Sequence, residues 1–171
     1  MGEYEAALVE EATKKTGLMW IDVPGLPQPR AAWHIWHSTP EHGGAAYLVT
    51  GGEGEQPLPG LPEAERVTVT VSSKDKGGRL VSWVAEVSEV EPGTEEWDAV
   101  VPVLAKERLN GDQEQAERWA KESYVIRLTP VGETTTDHPA GYAAVRPVPT
   151  PATTAGKGPF MIGAKRRKVD K

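Results

Sequence analysis

RVTVTVSSKDKGGRLVSWVAEVSEV, residues Arg66 to Val90, alternates twice. Val67, Val69 and Val71 interleave with Thr68, Thr70 and Ser72, and Val81, Trp83, Ala85 and Val87 interleave with Ser82, Val84 and Glu86. Side chains on a strand point to opposite faces in turn, so each half offers one apolar face. Lys74-Asp75-Lys76-Gly77-Gly78 between them is a polar turn whose glycines accept positive φ without a steric penalty. The stretch predicts a long antiparallel hairpin. A lone hairpin is not stable in water, so further strands must cover it.

Those strands are found upstream. Leu18 to Val23 suits a first strand, closed by Pro24-Gly25-Leu26-Pro27-Gln28-Pro29, where prolines remove the donors a ladder needs. Arg30 to His37 reads as one continuous second strand, with Trp33, Ile35 and His37 on one face and Ala32, His34 and Trp36 on the other. Ala45 to Thr50 makes a third, and the glycine- and proline-rich loop from Gly51 to Pro62 leads into the hairpin. Ahead of them all, Tyr4, Leu8 and Ala12 recur at helical spacing between Glu3 and Lys15, and Gly17 ends the helix. Its thin apolar stripe predicts a position on the outside of the sheet.

Downstream the period lengthens. Thr94 is a good N-cap with Glu95 and Glu96 in the first turn, and Trp97, Val101 and Leu104 follow at helical spacing. Pro102 predicts a bend or a break within Glu95 to Arg108. Asp112 caps a second helix, Gln113 to Lys121, and Ser123 to Leu128 is a closing strand. The prediction is a mainly β domain of six antiparallel strands with an N-terminal helix and two helices before the last strand. It spans residues 1–142, followed by a proline- and threonine-rich basic tail at 143–171.

Composition removes several chemistries. The chain of 171 residues has no cysteine, which excludes disulfides, thiolate catalysis and thiolate-ligated metals. It has no apolar run of about 18 residues and its first residues are acidic, predicting neither a membrane span nor a secretory signal and placing the protein in the cytoplasm. The net charge of −6 is unevenly spread: residues 143–171 carry +6 and the first 142 carry −12. An acidic body repels nucleic acid, so only the tail is suited to a polyanion or an acidic partner.

The order of strands and helices, with Gly17-Leu18-Met19-Trp20-Ile21, Pro29-Arg30-Ala31-Ala32-Trp33-His34-Ile35-Trp36, Ala46-Tyr47-Leu48-Val49-Thr50-Gly51 and Arg66-Val67-Thr68-Val69, resembles the split β-barrel of pyridoxamine 5'-phosphate oxidase-like flavin-binding proteins, in particular their actinobacterial members. The resemblance covers about Glu3 to Pro130. It implies a homodimer with FMN or a deazaflavin in the groove between subunits and an oxidoreductase in which the cofactor carries the hydride, with no obligatory catalytic side chain and no metal. It implies Trp33, His34 and Thr50 beside the ring and ribityl chain. The loop after Thr50 departs from the pattern: where the family delivers Ser-Arg-Lys to the phosphate, this chain has Gly54-Glu55-Gln56. That shifts the phosphate to the hairpin turn, with Ser73 and Lys74 as its partners and Lys76 and Arg79 nearby. The rival implication is a split barrel kept as a non-catalytic binding or dimerisation module.

The remaining candidates are weighed from the residues themselves. His34 and His37, three apart on a strand, point to opposite faces and do not share a metal. Six tryptophans stand against one phenylalanine. Trp83, Trp97 and Trp119 fall at core positions, whereas one of Trp33 and Trp36 should face outward, free to stack on a planar cofactor or a partner subunit. The substrate leaves no mark.

Overall fold

The hairpin forms in the predicted register in a computed structural model that describes residues 3–73, 79–108 and 113–138; the turn at Lys74 and the tail lie outside them. In chain order the elements are α1 (Glu3–Lys14), β1 (Leu18–Asp22), β2 (Arg30–Trp33), β3 (Ile35–Thr39), β4 (Gly43–Thr50), β5 (Arg66–Ser73), β6 (Arg79–Glu89), α2 (Glu95–Glu107), α3 (Gln113–Glu122) and β7 (Tyr124–His138). All strand pairs are antiparallel, in the order β2-β1-β5-β6-β7-β4-β3.

Seven strands stand where six were expected, because the segment Arg30 to His37 is two strands rather than one. β2 lies at one edge of the sheet and β3 at the other, with His34 alone between them. One residue spans about 3.5 Å. The two edges therefore meet at His34, and the sheet curls into a split barrel. The seam follows from that change of edge, which an unbroken alternation of side chains does not reveal.

The two faces of the sheet have different covers. Met19, Ile21, Val67, Val69, Val71, Val81, Trp83 and Ile126 fill the interior. Val9 and Ala12 of α1 join them. The helix thus packs against the concave side and touches five strands, instead of lying outside as its thin stripe suggested. Trp36 also turns inward, its ring edge-on to Trp83 at 6.4 Å between centroids. On the convex side, Tyr47, Val49 and Val125 are covered by Val100, Val101 and Leu104 of α2 and Trp119 of α3.

Helix α2 is continuous through Pro102, and its predicted cap is present, with the Trp97 amide donating to Thr94 Oγ1 at 3.2 Å. A half-buried carboxylate fastens it. Tyr47 Oη donates to Glu96 Oε1 at 3.0 Å, and Arg127 Nη1 donates to both Glu96 oxygens at 2.6 and 2.8 Å. Burial first, and then the Glu96 carboxylate, hold the Tyr47 phenol well above its ordinary range. Strand β7 runs ten residues past Leu128, where the sequence shifts in composition, because β6 is long enough to need a partner there: Leu80, Val81 and Ser82 pair with His138, Asp137 and Thr136.

α2 and α3 cover only the β3, β4 and β7 part of the convex surface. Among the described residues no helix covers the part formed by β1, β5 and β6, where Leu18 and Trp20 are exposed, while Trp33 of β2 packs at the edge of the covered cluster.

Candidate functional site

Three consecutive features of the seam determine the site's border. His34 is buried, and its Nε2 lies 2.8 Å from the carbonyl oxygen of Thr13 at the end of α1. A carbonyl can only accept, so Nε2 carries the proton. Burial lowers the pKa of His34 below its ordinary 6.5, against the opposing pull of the Thr13 carbonyl. The imidazole is neutral in the folded protein and protonates more readily in the unfolded chain. Its contribution to stability is complete above 6.5 and is lost as pH falls from there towards the lowered native value. Urea midpoints measured between pH 7.5 and 5.5 are expected to fall more steeply in wild type than in His34→Gln; parallel profiles would refute the assignment.

Beside it, Gln56 laces the seam. The Trp33 amide donates to Gln56 Oε1 at 2.9 Å, and Gln56 Nε2 donates to the carbonyls of Trp33 at 3.1 Å and Val49 at 3.0 Å. One side-chain amide thus supplies bonds that a neighbouring strand would otherwise make between β2 and β4. Thr50 belongs to the same knot, donating to Gln56 O at 2.9 Å and accepting from the Leu58 amide at 3.1 Å.

Glu55, one residue earlier, turns towards the helices. Its side chain is 2% exposed. Oε1 pairs with Arg108 and accepts from Trp119 Nε1 at 2.8 Å and Gln115 Nε2 at 2.9 Å. Arg108 also donates to the carbonyl of Gly54 at 3.0 Å, and its guanidinium carbon sits 5.9 Å from the Trp33 ring centroid. The acid that stands where the resemblance leads one to expect a cation is therefore neutralised inside the molecule.

Beyond Trp33 lies the bare surface. Leu18, paired with Trp33 across the β1–β2 ladder, is 58% exposed, and Trp20, paired with Ala31 and Thr70, is 50% exposed. Thr70 Oγ1 and Ser82 Oγ, 2.8 Å apart, continue the row on β5 and β6. A hollow of about 260 Å³ between Asp22, Thr68 and Val84 adjoins it. This is a flat indole and leucine surface with hydroxyls on one side and the Arg108-capped Trp33 ring on the other.

The predicted site residues divide accordingly. Trp33, His34 and Thr50 come together at the seam, but the His34 Nε2, the Thr50 hydroxyl and both peptide groups of Trp33 already have partners within the protein. Ser73 ends β5, two strands from Trp33, and Lys74 lies outside the described residues. Trp33 and Trp36 are both half-buried. Trp36 turns inward and Trp33 lies on the outer face, as expected of one of the two; the exposed tryptophan on that face is Trp20, which sequence reasoning left unassigned although its alternation with buried Met19 and Ile21 was readable.

A planar ring finds a stacking face on the bare surface, whereas the hydroxyl and amide of the knot are already bonded within the fold. Trp20, Leu18 and the exposed edge of Trp33 can hold a planar ring by stacking, with the Thr70–Ser82 pair in reach as polar partners, whereas the hydroxyl of Thr50 and the imidazole of His34 are spent on the fold. A second hollow, about 360 Å³ and lined by Thr50, Pro57, Pro59 and Tyr124, opens elsewhere. Among the described residues no three His, Asp or Glu side chains are grouped to hold a metal, and no helix is long and apolar enough to cross a membrane.

The architecture is that of the pyridoxamine 5'-phosphate oxidase-like and general stress FMN/FAD-binding split barrels. No family model and no curated protein matches the sequence. Among solved structures, the general stress FMN/FAD-binding protein of Xanthomonas citri superposes with a TM-score of 0.52 at 14% identity, covering 87% of this chain and 98% of its own. A Listeria innocua protein provisionally assigned as a pyridoxamine 5'-phosphate oxidase gives 0.51 at 15% identity, covering 79% and 98%. The haem storage protein HutZ of Vibrio cholerae gives 0.50 at 14% identity, covering 80% and 94%. Identities this low establish a common fold.

Proposed function

We propose that the protein binds a flavin, FMN or a deazaflavin, on the bare surface of the barrel, in a groove completed by a second copy of the chain, and acts as an oxidoreductase. The carrying observation is the half-exposed Trp20 and Leu18 beside Trp33 on the part of the sheet that no helix among the described residues covers. The cofactor would supply hydride transfer. The chain's own residues would stack the ring and exclude water, with Ser73 and Lys74 at the end of the hairpin as phosphate partners.

The internal pairing of Glu55 with Arg108 bears on this reading in two ways. It removes the repulsion an exposed carboxylate would exert on a phosphate, but it also leaves that loop without a free cation of its own. This second consequence favours the alternative of a non-catalytic split-barrel module whose basic tail recruits an acidic partner.

Visible absorbance of the purified protein, before and after FMN addition and gel filtration, separates the two. The flavin reading expects retained yellow colour at about one flavin per subunit, with Trp20→Ser weakening binding about tenfold through the lost stacking. A colourless protein that retains neither FMN nor a deazaflavin would sink it, and a Soret band in place of flavin absorption would redirect it to haem.

A further inference from the structure

We infer that the apolar triplet Phe160-Met161-Ile162 of the chain's own C-terminal tail docks on the Leu18–Trp20 surface and covers it in the cofactor-free protein. The first ground is the surface itself. A half-exposed tryptophan next to an exposed leucine, with half-buried Leu80 and Val84 two strands away beyond the Thr68, Thr70 and Ser72 row, is an apolar patch that water alone is poor at covering.

The second ground is where the chain leaves the sheet. Leu80 pairs with both Ser72 and His138, and the β1–β5 register places Leu18 beside Ser72. Leu18, Ser72, Leu80 and His138 thus form one row across four strands. His138 is three strand spacings, about 14 Å, from Leu18. The 21 residues from 139 to 159 separate His138 from Phe160, and an extended chain of that length reaches about 70 Å. The triplet can arrive without strain and from the correct end of the sheet.

The third ground is charge. The triplet is flanked by Lys157 on one side and Lys165-Arg166-Arg167-Lys168 on the other, within a tail of net +6 facing a body of −12. Exposed Asp22 lies on the same face as Trp20, at the hollow beside Val84. Phe160 is the chain's sole phenylalanine, set in a stretch with almost no other large apolar residue. The rim of the patch is mixed, with Asp22 and Glu86 beside Arg66, so the attraction rests on the opposite net charges of tail and body.

The contact does not require a flavin, so it is tested without one. Acrylamide quenching of full-length protein is compared with Phe160→Asp/Ile162→Asp, each with and without Trp20→Phe to isolate the Trp20 signal. The core clusters of the described residues are complete without the triplet, so the double variant is expected to keep the wild-type circular dichroism spectrum. Trp20 quenching is expected to rise about twofold in it, as the indole regains solvent. Unchanged quenching would overturn the inference. So would shielding that disappears on dilution in step with dissociation of a dimer, which would assign the cover to a second copy.

Flavin enters only as a separate arm. If the covered form holds about nine-tenths of the molecules, the double variant should bind FMN on the order of tenfold more tightly. A quenching change with no flavin binding in any variant would keep the tail contact and discard the flavin reading.

Discussion

Glu55→Ala is expected to destabilise the protein by about 3–5 kcal/mol, the cost of removing one partner from a buried ion pair. The loss is large because one carboxylate oxygen serves three groups: the guanidinium of Arg108, the indole Nε1 of Trp119 and the amide Nε2 of Gln115. Arg108 would then keep its charge over the Trp33 ring with no counter-ion. Glu55→Gln preserves shape and an acceptor but not charge, and should lie between alanine and wild type. Arg108→Met/Glu55→Leu removes both charges and should recover most of the loss. Urea unfolding followed by tryptophan fluorescence decides the matter. A Glu55→Ala midpoint corresponding to less than about 1 kcal/mol would mean that the pair is solvent-screened and does not fasten the loop to α3.

Gln56→Leu is expected to cost about 2–4 kcal/mol, since each buried polar group left unpaired costs about 1–3 kcal/mol and the seam is partly open to water. Leucine fills the space of glutamine but leaves the amide and carbonyl of Trp33 and the carbonyl of Val49 without partners. The effect is local as well as global. Amide exchange at Trp33 should accelerate more than the drop in global stability accounts for, because its protecting bond comes from this side chain. Gln56→Glu offers a discriminating control: a carboxylate accepts from the Trp33 amide but donates to neither carbonyl, so it should restore protection at Trp33 without restoring stability. Equal exchange at Trp33 in wild type and Gln56→Leu would remove Gln56 from its role at the seam.

How far the sequence could be read follows the same physical division. The hairpin from Arg66 to Val90 was legible because alternation is local, and so was the cap at Thr94, since a cap needs only its own turn. The break at His34 was not legible. Arg30 to His37 alternates without interruption, and what separates its halves is an edge change tied to the Thr13 carbonyl, 21 residues upstream. Glu55 and Gln56 sit in a loop without period; the partners of Glu55, Arg108 and Trp119, follow more than 50 residues later, and Gln56 bonds back to Trp33, 23 residues upstream. The resemblance therefore set the acid and amide against the cations it leads one to expect, but could not tell that both are engaged with the fold. Trp20 was half legible: its face could be read from Met19 and Ile21, but that this face would stay bare depended on where α2 and α3 came to rest.

The seam also has a consequence for how this protein behaves towards its own kind. An open sheet ends in two rows of unpaired peptide groups, each a template on which another chain can add a strand and begin an aggregate. Here the two terminal strands are neighbours in sequence, β2 is four residues long, and the residue joining them is pinned beneath the surface. Gln56 occupies peptide groups of Trp33 that an incoming strand would need. Assembly by templated strand addition is thereby disfavoured at the seam, so a second chain meeting this edge finds side chains rather than a free ladder.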